Sequence, residues 1–107
     1  MDSHYVEKII SDLTFIAEHT KDLTLEALEN NQSLRDVVLF KLVQISANAE
    51  RLTPDFIHRY NMLPWRAIKS LRNRIVHYYG SVEMSVIYDT VQNDIPYMLQ
   101  ALGNMTE

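Results

Sequence analysis

The sequence predicts an all-α fold, an antiparallel helical bundle of four or five principal helices. Three observations carry that expectation. Apolar residues recur three and four positions apart along most of the chain. Two glycines and three prolines are too few for the turns of an all-β fold. Pro54 and Pro64 stand where helices begin, the position at which proline is best tolerated.

The elements follow in order. Residues 3–20 carry Val6, Ile9, Ile10, Leu13, Ile16 and Ala17 at helical spacing, with Ser3 as the expected N-cap. Residues 24–30 predict a short helix stopped by Asn30-Asn31. Ser33-Leu34-Arg35-Asp36 has the form of a capping box, with Asp in place of Glu. It opens a strong helix through Val37, Val38, Leu39, Leu42, Val43, Ile45 and Ala49, ending near Leu52. That helix is apolar over much of its circumference, which places it at the centre of the bundle or in a dimer interface. Thr53-Pro54 reads as an N-cap and first-turn proline for a short helix through about Arg59. Pro64 starts another, with Trp65, Ile68, Leu71, Ile75 and Val76 on its apolar side and Gly80 as its stop. Ser81 or Val82 begins a further segment containing Val86, Ile87 and Val91, which Pro96 interrupts or restarts before Tyr97, Leu99 and Leu102. Residues 1–107 are expected to form one domain, since this length supports one core and not two.

Composition narrows the chemistry. Apolar residues make up 47% of the chain, which argues against disorder. The absence of cysteine removes disulfides, thiolate catalysis and zinc–cysteine sites. The N-terminus shows no basic region followed by an apolar stretch, and no apolar run approaches the ~18 residues that span a bilayer. A cytoplasmic protein without membrane contact is expected. His4, His19 and His58 are scattered without ligand spacing, and no metal or other cofactor is expected.

The net charge is −4, yet its distribution is uneven. From Phe56 to Val82 there is no Asp or Glu, while Arg59, Arg66, Lys69, Arg72 and Arg74 are all cationic. A local basic surface on an acidic protein suits a short nucleic-acid contact better than tracking along a duplex. Arg66, Lys69 and Arg74 are the candidate phosphate contacts. A solvated helix face with an excess of charge is the plainer reading of the same window.

Within that window, Arg72-Asn73-Arg74-Ile75-Val76-His77-Tyr78-Tyr79 is the most informative stretch. Read as Arg-x4-His-x-Tyr, with Asn directly after Arg, it resembles the signature of the HEPN superfamily. Two flanks make the HepT-like branch the better match: Leu63-Pro64-Trp65-Arg66-Ala67-Ile68-Lys69-Ser70-Leu71 before the motif and Thr90-Val91-Gln92-Asn93-Asp94-Ile95-Pro96 after it. The chain departs from the family's common pattern twice. It has Ile45-Ser46-Ala47-Asn48 where Ile-Gly-Glu-Ala is usual, and Tyr78 where many relatives place Asp.

The resemblance implies a HEPN-like bundle, metal-independent RNA cleavage, and a homodimer with a composite active site. It further implies a toxin paired with an MntA-like nucleotidyltransferase antitoxin, which silences it by AMP transfer to the motif tyrosine, here Tyr79. Cleavage through the substrate's own 2′-hydroxyl asks for a proton carrier and for charge stabilisation at phosphorus. His77 suits the first, because an imidazole exchanges protons near neutral pH. Arg72 suits the second, because a guanidinium stays charged and contacts two phosphate oxygens together. Asn73 is a candidate to orient the histidine or a phosphate oxygen, and Tyr79 to donate a hydrogen bond or stack on a base. Each side chain also has an ordinary role open to it: a helix-end cap for His77, a surface ion pair for Arg72, packed aromatics for Tyr78 and Tyr79. At ~100° per residue Asn73 and His77 lie about 40° apart, but Arg72 and His77 about 140°. An ideal helix therefore does not aim Arg72 and His77 at one phosphate. Either the helix distorts near Gly80 or two copies of the motif meet across a two-fold axis. A noncatalytic helical dimer that binds a nucleotidyltransferase is the competing function class.

Overall fold

The computed structural model describes residues 2–105. Its helices are α1 (Asp2–Thr20), α2 (Leu25–Asn30), α3 (Gln32–Ala49), α4 (Pro54–Arg59), α5 (Trp65–His77), α6 (Met84–Asp89) and α7 (Ile95–Met105). The segment Thr90–Asp94 joins α6 to α7 as a π-helical turn. Four long rods result, α1, α3, α5 and the α6–α7 rod, with α2 and α4 as short connectors. This is the expected all-α, HEPN-like bundle, and no strand occurs among the described residues. No helix among them is long and apolar enough to cross a membrane.

Side-chain ties fix the antiparallel order. The Asp2 carboxylate accepts from both the backbone N–H and the hydroxyl of Thr53, at 2.9 and 2.8 Å, so the start of α1 meets the start of α4. Lys41 of α3 donates to Asp12 of α1 at 3.1 Å. Gln92 donates to the Thr20 carbonyl at 2.7 Å and Tyr88 to the Leu23 carbonyl at 2.6 Å, which lays the C-terminal rod antiparallel to α1. The core between them is one continuous apolar cluster. Val6, Ile9, Leu13 and Ile16 of α1 meet Val38, Leu39, Leu42 and Ile45 of α3; Ile68, Leu71 and Ile75 of α5 and Ile87, Val91, Ile95, Met98 and Leu102 of the rod complete it. Each such side chain contributes about 1.5–3 kcal/mol on burial.

Caps explain where the elements begin. Thr24 caps α2 and Thr53 caps α4 through their hydroxyls, at 3.1 and 3.2 Å from the N–H three residues on. Two expected caps fall elsewhere. Asp2 is already helical, so Ser3 lies inside α1. The carboxamide oxygen of Asn31 accepts from the Leu34 N–H at 3.2 Å, starting α3 two residues before Ser33. Gly80 does not stop α5. That helix ends at His77, Tyr78 caps it by donating to the Arg74 carbonyl at 2.9 Å, and Tyr79–Ser81 form a 3-10 turn with no residue at positive φ. The segment then resumes at Met84 and not at Ser81 or Val82. The α-helical ladder is interrupted just before Pro96, as expected, and α7 restarts at Ile95 with the proline in its first turn. The Ile95 N–H reaches back five residues to the Thr90 carbonyl, and this wider turn absorbs the proline that follows, which has no N–H to give.

Candidate active site

The motif lies on the last two turns of α5 and the 3-10 turn after it. Ile68, Leu71 and Ile75 anchor the helix by its opposite side, so the polar residues must face outward. Lys69, Arg72 and Val76 follow at steps of three and four and share one flank. Lys69 reaches Glu50, the C-cap of α3, at 3.6 Å, which shows that this flank borders the end of α3. Arg66, Asn73 and His77 share the outermost face, within about 40° of one another.

The guanidinium of Arg72 donates from Nη1 to Oδ1 of Asn73 at 2.7 Å. Asn73 thus holds the arginine, a third role beside the two expected for it. The His77 ring is exposed at the C-terminus of α5, and its recorded neighbour is Tyr78, with ring centroids 6.3 Å apart. α5 is regular from Trp65 to His77, so no distortion brings Arg72 and His77 together. Within one chain they remain on different flanks of a helix.

Tyr79 is 52% exposed. Its phenol is held above the usual pKa, first by hydrogen bonding to the Asp36 carboxylate, then by desolvation and by the negative charge of Asp36, with Arg35 opposing. Both neighbours come from the N-terminal half of α3, an approach that nothing in their spacing from the motif signalled. The Nε of Arg35 is buried without a hydrogen-bond partner among the described residues. Of the expected phosphate contacts, Arg66 and Arg74 are exposed and form no ion pair with a described residue, whereas Lys69 is paired with Glu50. No group of three or more His, Asp or Glu side chains converges among the described residues.

The motif occupies open surface. A hollow of about 410 Å³ lies between α1 and α3, bordered by Lys8, Asp12, Gln44 and Asn48, and another of about 250 Å³ lies beside Trp65. Neither is lined by Arg72 or His77. The surface around the motif is instead unusually apolar. Phe40 is 60% exposed and Val76 55%, with Val37, Tyr78 and Tyr79 exposed near the same end of α3 and α5. On α3, Phe40 lies about 160° from the buried side of the helix at Leu42. The apolar circumference seen in the sequence is therefore two faces, one in the core and one open.

An all-α bundle whose third long helix ends in Arg-Asn-x3-His, with the motif Tyr in the turn that follows, defines a HEPN-like protein. The profile of the family described as "Ribonuclease HepT-like" matches residues 9–105, and the chain belongs to that HepT-like family. A Methanocaldococcus jannaschii protein named "Putative RNase MJ0127" is 26% identical over 92 residues, 86% of this chain and 76% of its own length. A Thermococcus cleftensis protein named "Probable ribonuclease HepT" is 27% identical, over 86% of this chain and 84% of its own. A longer M. jannaschii protein, "Gamma-glutamylcyclotransferase and putative RNase MJ0434", is 25% identical over 96% of this chain, which spans 46% of it. No solved structure matches the chain significantly.

Proposed function

We propose that the protein is a metal-independent endoribonuclease of the HepT-like family, acting as a homodimer whose active site is shared between two copies. The observation that carries this reading is the half-buried Arg72 held by exposed Asn73, with exposed His77 on the same regular helix, in a chain of that family. Two copies related by a two-fold axis bring the Arg72 of one toward the His77 of the other, which the 140° separation within a single helix forbids. The open apolar face at Phe40 and Val76 supplies the surface that such a pair would cover.

The chemistry follows from the side chains. Arg72 binds the scissile phosphate, and Asn73 fixes the guanidinium plane. His77 takes the proton from the 2′-hydroxyl as its oxygen attacks phosphorus. The P–O5′ bond breaks, and the leaving oxygen is protonated by an imidazolium. The products are a 2′,3′-cyclic phosphate and a 5′-hydroxyl. Arg66 and Arg74 contact flanking phosphates on tRNA or mRNA, the substrate classes this reading favours.

Regulation falls on Tyr79. In a toxin–antitoxin pair, a cognate MntA-like nucleotidyltransferase would join AMP to the phenol, forming an O–P bond and releasing pyrophosphate from ATP. Asp36 stands ready to accept the phenolic proton, and Arg35 provides a cation beside the new phosphate. The added bulk and negative charge then occupy the space RNA needs.

The test is an RNA-cleavage assay in EDTA with wild type and His77→Ala. Cleavage by wild type alone, with cyclic phosphate and 5′-hydroxyl ends, is the expected result. An unmodified, folded dimer that leaves both tRNA and mRNA intact would overturn the assignment in favour of a noncatalytic module docked on a nucleotidyltransferase.

A further inference from the structure

The hollow beside Trp65 has the chemistry of a base-stacking site. Ala49 of α3, Ile57 of α4 and the indole of Trp65 form its apolar walls, and Glu50, Arg66 and Lys69 stand at its rim. Its volume of about 250 Å³ takes one flat heterocycle and falls below the ~300–1,000 Å³ of drug-sized pockets. A second hollow continues past the same Ile57, Trp65 and Arg66 toward Asn61 and Leu63, so the walls form an open trough with an exit for a chain. The indole is fixed in place, because its Nε1–H donates to the Tyr60 carbonyl at 3.0 Å. No indole donor is left to desolvate when the ring face is covered.

The surrounding charge selects the occupant. Ile57, Trp65, Arg66 and Lys69 belong to the acid-free stretch from Phe56 to Val82, and the one carboxylate lining the trough, Glu50, comes from the end of α3. Arg66 makes no ion pair with a described residue. Lys69 is tied to Glu50, but both side chains are more than half exposed, at 61% and 51%. Such surface pairs are worth about 0–1 kcal/mol, so a phosphate can displace the carboxylate. Arg66 shares its face of α5 with Asn73 and His77. At 1.5 Å per residue the rise from Lys69 to His77 is ~12 Å and from Trp65 ~18 Å, a span that a single strand covers in a few nucleotides.

We infer that the trough binds an unpaired nucleobase of the substrate, stacked on Trp65 with Arg66 and Lys69 on its phosphates, a few nucleotides from the bond cut at His77. The substrate at that position is therefore single-stranded, since a base inside a duplex cannot turn its face to the indole. The inference takes the identity of the strand from the nuclease reading, but the trough is tested apart from cleavage.

Trp65 is the chain's one tryptophan, so its fluorescence reports from this trough alone. The full-length protein is titrated with a short 2′-O-methyl oligoribonucleotide, which binds without being cut, and with the same sequence closed into a duplex. Saturable quenching by the single strand and not the duplex is expected, with affinity reduced roughly tenfold in Arg66→Gln/Lys69→Gln. In cleavage assays Trp65→Leu should raise KM about tenfold or more at little change in kcat, and Trp65→Phe should retain most of the affinity. Unchanged fluorescence while wild type still cuts RNA would refute the trough and leave the nuclease standing. Quenching equal for strand and duplex would refute it too. Quenching by a wild-type protein that cuts no RNA would keep the trough and remove the nuclease.

Discussion

Replacing Phe40 by glutamate should convert the protein to a monomer without unfolding it. Phe40 leaves 60% of its surface in water. A fully buried aromatic side chain covers ~150–250 Å², so a second copy closing over this ring would remove about 90–150 Å² per chain. At ~25 cal/mol per Å² that is about 2–4 kcal/mol per copy, and a two-fold interface counts it twice. The loss of about 4–8 kcal/mol weakens pairing by at least roughly a thousandfold, since each 1.4 kcal/mol is a factor of ten. The carboxylate adds an unpaired charge to the interface and acts in the same direction. Within the monomer the position is open, and the expected change in folding stability is within about ±0.5 kcal/mol.

Sedimentation across a wide concentration range, with denaturant unfolding in parallel, measures both quantities. The expected result is a folded Phe40→Glu monomer, at concentrations where wild type is a dimer, with cleavage lost to the same extent. A variant that still pairs like wild type would place the interface elsewhere. A folded monomer with full cleavage would refute the shared active site itself.

Other outcomes follow from individual contacts. Asp36→Asn should lower the ionisation midpoint of the Tyr79 phenol, seen as a shift in the ultraviolet difference titration between wild type and variant; identical titrations would remove Asp36 as its partner. Asp2 is held below the usual carboxylate range, first by the Thr53 backbone N–H and then by the Thr53 hydroxyl. Its folded pKa is depressed, so its contribution is complete above the unfolded value and lost as pH falls through the folded one. The acid limb of the unfolding curve should therefore flatten in Asp2→Asn. Thr53→Ala removes the α4 cap as well and should cost about 1 kcal/mol in chemical denaturation. Asp12→Ala strips the half-buried Lys41 of its 3.1 Å partner and should cost about 1.5–3 kcal/mol; a neutral result would mean that its contact with the Phe15 ring suffices.

What was legible in the sequence was local. Thr53-Pro54 announces α4 because a hydroxyl acceptor and a missing N–H are both needed within one turn, and the structure places them so. Ser33 was the wrong cap because Asn31, two residues earlier, has the better-placed oxygen, and the sequence offers both. Gly80 read as a stop, but Tyr78 ends the helix without a positive φ, so a glycine's freedom is not required there. Pro96 read as an interruption or restart because proline removes one hydrogen bond from an α-helix; what the sequence did not show is that a five-residue step in the ladder makes the interruption. The motif itself was visible as a string. Its surroundings were not, because Asp36 and Tyr79 are brought together by the packing of α3 on α5, and Ile57 and Trp65 by the turn between α4 and α5.

The same packing ties the apolar surface to the charge. Lys69, Arg72 and Val76 lie on one flank of α5, and the contact of Lys69 with Glu50 sets that flank beside α3, whose outward face carries Phe40. Any second copy that covers Val76 and Phe40 must also lie against Arg72, one turn before Val76 on the same flank. His77 looks away from that flank, toward the outer face with Asn73. Hiding the apolar surface and presenting the guanidinium to another chain are thus one event on the proposed dimer. On that proposal a monomer retains every residue of the motif, yet holds Arg72 and His77 about 140° apart around one helix, where they do not meet a single phosphate.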